Sequence, residues 1–169
     1  MYYTFRFLKL LVTKWEDMDA YKLGIIDEKG KNLIKVRKLK TNEQKDAFTT
    51  FHRLVFNIKR LMEMMPFGRS RLANYAAALY LLREETGMSE DAIMNALEEL
   101  GLERTPGDEF DLTEETLIPG EYILNATLNE DFSRGRVVIL KDLKPVGKFS
   151  QTFIYKTEEG CYVTFDNLR

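Results

Sequence analysis

The spacing of the apolar residues changes once along this chain, and that change restricts the folds open to it more than any other feature. Between Thr41 and Gly101 they recur every three or four positions, the spacing of one face of an α-helix. From Glu121 onward they alternate with polar residues over short runs, the spacing of half-buried strands. Helices followed by strands predict an α+β fold, with the helices segregated from a small antiparallel β module. A length of 169 residues suffices for one good core, or for one core and a small satellite.

The helical part carries its own punctuation. Thr41-Asn42-Glu43-Gln44 reads as a capping box, in which the threonine and glutamine side chains satisfy free backbone amides. The apolar stripe after it predicts a helix over 42–65, ended by Pro66, because the residue before a proline is pushed out of the α region. Phe51, Leu54, Val55 and Ile58 should bury against the apolar stretch Ala76–Leu82 of a second helix. Ser70 can cap that second helix and Gly87 can close it. Ser89 opens a third helix, which Gly101 stops. Ahead of this bundle of about three helices, the first forty residues predict a short helix or strand and then a basic hairpin. Its arms are Leu23–Ile26 and Leu33–Val36, with Gly30 in the turn.

Residues 102–119 hold two prolines, a glycine and many acidic residues. Strands are then expected at 121–127, 136–141, 151–156 and 161–165, with Glu158-Glu159-Gly160 turning between the last two. The expected organisation is a basic hairpin and helical domain at 1–101, an acidic linker at 102–116, and a barrel-like β module at 117–169.

Charge is segregated along the chain. Residues 1–71 hold 16 Lys+Arg and 8 Asp+Glu, a net of +8. Residues 72–132 hold 2 basic and 15 acidic residues, a net of −13, and residues 133–169 hold 7 and 4, a net of +3. A basic front next to an acidic middle can steer charged partners or neutralise itself internally.

Chemical constellations are missing at the level of sequence. The single histidine, His52, has no nucleophile beside it, and surface or helix packing explains it better than base catalysis. The single cysteine, Cys161, has no adjacent His, Lys or Arg to activate it. One His and one Cys cannot on their own complete a zinc site, so no metal and no cofactor is expected. Gly68-Arg69-Ser70 lacks the first glycine of a phosphate loop, since Glu63 stands there, and has arginine where that loop needs lysine. The spacing through Thr86-Gly87-Met88-Ser89 matches a helix-turn-helix. Residues 89–100 nevertheless carry four acidic and no basic residues, which a DNA groove would repel. No run approaches the length of a membrane span, and Lys9 and Lys14 interrupt the apolar start, so no membrane contact is expected. An enzymatic role is therefore not expected.

Interaction with other macromolecules remains. Arg37, Lys38, Lys59, Arg60, Arg69 and Arg71 are the candidate partner-binding residues. They could meet acidic protein surfaces or, with Tyr2, Tyr3, Phe5 and Phe7 as stacking groups, nucleic acid.

Two stretches also resemble known proteins. AYKLGIIDEKGK followed by FHRLVFNIKRLMEMMPFGRSRLANYAAALYLLREE, covering roughly 20–85, is similar to small proteins of large tailed bacteriophages. VVILKDLKPVGKFSQTFIYKTEEGCYVTFDNLR resembles a small open barrel of the Src-homology-three kind. The resemblance implies a non-enzymatic virion or assembly protein, such as a scaffold, connector or internal component. Its partners would be other protein subunits, copies of itself among them, in the host cytoplasm or the virion. The alternatives are a nucleic-acid-associated protein using the basic front and a small regulator that binds a host enzyme.

Overall fold

The computed structural model describes residues 2–64, 75–100 and 117–169, and within them the chain is α+β. Helix α1 (Tyr2–Val12) opens it, followed by a 3-10 turn at Trp15–Asp17 and the short α2 (Asp19–Lys22). Then come α3 (Asn42–Ala47), α4 (Thr50–Met64), α5 (Ala76–Thr86) and α6 (Glu90–Glu99). The strands are β1 (Gly120–Ile123), β2 (Val137–Leu140), β3 (Gly147–Phe149), β4 (Thr152–Lys156) and β5 (Tyr162–Val163). β1 and β2 form one antiparallel ribbon, and β3-β4-β5 a separate antiparallel meander.

Several local signals act as expected. Thr41 and Gln44 form the capping box of α3, and Ser89 accepts from the Ala92 amide to start α6. Gly87 closes α5 in the left-handed conformation. The turn at 158–160 joins β4 to β5. The strand β3 was not expected, being three residues long without an alternating run.

Two expectations are corrected. The helix over 42–65 is two helices, because Phe48 leaves the α region at φ −141°, ψ 56°. The break lets Phe48 drop beside Phe56 and Trp15 in a second apolar cluster with Ile25 and Ile26. Thr49 restarts the helix: its hydroxyl accepts from the His52 amide while His52 Nδ1 accepts from the Thr49 amide. The basic hairpin is reduced to one bridge, Ile26 opposite Asn32. Consecutive Ile25 and Ile26 are both buried, so this run does not alternate as a strand with one wet face must. The turn between them is tight. Gly30 sits at φ +77°, where a Cβ would lie 2.6 Å from the Trp15 ring. The proposed cap Ser70, the stops Pro66 and Gly101, and the linker at 102–116 lie outside the described residues.

The main core joins helices to strands. Phe7 and Leu11 of α1, Val55 and Ile58 of α4, Leu79 and Leu82 of α5, and Ile93 and Leu97 of α6 share one apolar cluster with Phe149 of β3 and Ile154 of β4. Leu54, expected within the buried stripe, is only half-buried at its edge. Arg83 ties the same seam. Its guanidinium pairs with Glu90 at 3.1 Å, donates to the Lys148 carbonyl at 2.9 Å, and lies over the Tyr80 and Phe149 rings. The rest of the C-terminal module packs around Leu124, Val138, Leu140, Cys161 and Val163.

Candidate interaction surfaces

Of the six candidate basic residues, the four that lie among the described ones, Arg37, Lys38, Lys59 and Arg60, do not form one patch. Lys59 lies inside, 8% exposed. Its ammonium donates to the Leu11 carbonyl at 2.8 Å, lies 3.7 Å from Glu63, and sits over the Trp15 ring. That charge holds the end of α1 against α4, with its donors used within the molecule. Arg60 is half-buried and donates to the Gly30 carbonyl and to Asn57 Oδ1. Burial pulls its guanidinium pKa down, and Glu130, Asp27 and Glu63 oppose that shift. Arg60 therefore clamps the 27–31 turn onto α4. Arg69 and Arg71 lie outside the described residues.

Arg37 and Lys38 are exposed, on a 3-10 turn at Val36–Lys38. Lys35 and Lys40 beside them are exposed too, which puts four cations within six residues. The turn is anchored by buried Leu39 and by half-buried Ile34 and Val36 against the second cluster. The apolar residues point in and the cations point out.

Helix α1 carries the other surface. Phe7 and Leu11 face the core, while Tyr2 is 70% exposed, Phe5 69% and Val12 63%. At roughly 100° per residue, positions 2, 5, 9 and 12 share an arc of about 80° on the side away from the core. Lys9, also exposed, fills the remaining position. The helix is thus apolar on two opposite faces, and among the described residues only the inner one is covered. Sequence reasoning treated Tyr2 and Phe5 as stacking groups and did not set this face apart. The signal was legible as the 3-4-3 spacing of Tyr2, Phe5, Lys9 and Val12.

The remaining chemical candidates have structural partners. His52 caps α4, and burial followed by the Arg6 charge holds its pKa below the ordinary imidazole value. This favours the neutral ring whose Nδ1 can accept. Cys161 is buried, and burial pushes its thiol up to about 12. A half-open groove of about 160 Å³ runs between α4 and the 129–131 loop, with Arg53, Asn57 and Arg60 facing Glu130 and Asp131. Asn32 donates across it to Glu130. Its charges are of both signs, and among the described residues that line it Thr50 is the only one with a hydroxyl.

Among the described residues no three His, Cys, Asp or Glu side chains are grouped to hold a metal ion, and no helix is long and apolar enough to cross a membrane. Comparison with family models, with curated proteins and with solved structures returned no match.

Proposed function

We propose that this chain is a non-enzymatic assembly protein that works through contacts with protein subunits, copies of itself included. The observation that carries this reading is the outward face of α1, where Tyr2, Phe5 and Val12 stand more than 60% exposed. Apolar side chains grouped on one face of a helix mark a surface that another protein covers. Burying a large apolar side chain fully contributes about 1.5–3 kcal/mol, so three partly exposed ones contribute roughly 3–5 kcal/mol from each side. Association costs about 4–15 kcal/mol in lost freedom. The balance favours reversible, concentration-dependent contact over an obligate complex. The narrower reading, a phage virion or assembly component acting in the host cytoplasm or in the particle, rests on the resemblance of residues 20–85 to tailed-phage proteins.

Sedimentation of the full chain over a concentration series, at low and high salt, tests the general reading. Self-association that persists at high salt and is lost in Phe5→Glu is the expected result. A monomer at every concentration and salt, for wild type and variant alike, overturns it. Recovery of the chain at fixed copy number in purified particles tests the narrower reading, and its absence from them overturns that one.

A second reading, nucleic-acid association, is favoured by exposed Lys35, Arg37, Lys38 and Lys40. Each phosphate neutralised adds about −0.9 to the slope of log affinity against log salt. Duplex binding with a slope near −3 to −4, abolished by a joint Arg37→Glu and Lys38→Glu change, would put this reading first.

A further inference from the structure

We propose that the partner on α1 is a second copy of this chain, with the two α1 helices antiparallel across a twofold axis at the level of Phe7. This rests on α1 being a docking face and names what docks there. The outward positions 2, 5, 9 and 12 are symmetric about position 7. Inverting the helix about that level places Tyr2 opposite Val12 of the second copy, and Phe5 opposite its Lys9. The 3-4-3 spacing is that of a seam between two helices packed side by side.

Charge selects the direction. A parallel, in-register pair sets Lys9 against Lys9 in the middle of the seam, where two ammonium groups repel as they lose water. The antiparallel pair instead sets each Lys9 beside a Phe5 ring, a favourable cation–aromatic contact made twice by symmetry. The same chemistry already operates within one copy, where Arg6 lies 5.2 Å from the centroid of the Tyr2 ring. A self-complementary face on a twofold axis closes at two copies, which is the commonest form of oligomer.

Cysteine cross-linking reads out both partner and direction. Native Cys161 is 1% exposed with its thiol pushed up to about 12, so it stays silent under mild oxidation. Tyr2→Cys and Val12→Cys each replace an exposed residue and leave the core intact. Each variant alone should stay uncross-linked, because the two copies of position 2 lie about 15 Å apart along the axis. An equal mixture should give a covalent dimer. Phe5→Glu should raise the concentration needed for half-dimerisation by tenfold or more, and Lys9→Ala, which removes the cation–aromatic contact, should raise it by less. Cross-linking of Tyr2→Cys with itself would mean parallel helices and would overturn the proposal. Absence of any cross-link, while Phe5→Glu still abolishes assembly, would mean that α1 docks on a different surface. The antiparallel pair then fails, while the assembly reading stands. A salt-indifferent monomer removes both.

Discussion

Lys59 shows how little a residue's type says about its task. In sequence it stands beside Arg60 as part of a basic run, yet its ammonium is turned inward to the Leu11 carbonyl, Glu63 and the Trp15 ring. Its aliphatic stem crosses the apolar interior while the head finds acceptors there. Reversing its charge would set a carboxylate against a carbonyl oxygen and a second carboxylate. Lys59→Glu should therefore cost at least about 2 kcal/mol in urea denaturation. Arg37→Glu and Lys38→Glu, on an exposed turn, should each stay within about 0.5 kcal/mol. Equal losses for all three would show that the Lys59 charge faces water. His52 carries the same lesson, since the one histidine of the chain caps a helix.

At the scale of elements, α4 is the piece around which the others gather. Its inner face carries Phe51, Val55, Ile58 and Leu61, buried chiefly by α1 and α5. Leu54 falls between that face and the groove edge, packed on one side only. Ile58→Ala should thus cost about 2–5 kcal/mol, as for a large residue deleted from a closed core. Leu54→Ala should cost roughly 1 kcal/mol, since half of its side chain is already out of the core. Denaturation midpoints of the two variants decide this, and a larger loss at Leu54 would mean that α4 is rotated. The break before α4 follows from the same packing. A continuous helix over 42–65 would carry Phe48 away from Trp15 and Phe56, and a second capping box at Thr49 and His52 makes the interruption inexpensive.

Across the whole molecule, the change in spacing does not separate two independent cores. Phe149 and Ile154 lie in the helical cluster, and Arg83 joins α5 and α6 to β3. At Gly147 the backbone of β3 runs so close to α5 that a Cβ would lie 2.5 Å from the Tyr80 ring. Such a seam predicts cooperative unfolding, and the chain holds two native probes of it. Trp15 is the single tryptophan and reports on the N-terminal half, while Cys161 is the single cysteine and reports on the β module. Trp15 emission and Cys161 labelling should share one denaturation midpoint. Labelling that precedes the emission change would mean that the β module opens by itself.

What the sequence determined on its own was local. The capping box at Thr41, the Ser89 cap, the left-handed cap at Gly87 and the turn at 158–160 involve groups a few residues apart, so their chemistry is complete within a short window. The order of helices before strands was legible for the same reason, since spacing is a property of consecutive residues. Tertiary structure decided what depends on distant segments meeting. The 23–36 stretch gives up its hairpin because Ile25 and Ile26 are both drawn into a cluster with Trp15 and Phe56. Lys59 becomes internal because the end of α1 lies over it. The outward face of α1 becomes a candidate surface only because α4 and α6 take the opposite one. Burial is shared between segments far apart in the chain, and no window of sequence contains both sides of such a contact.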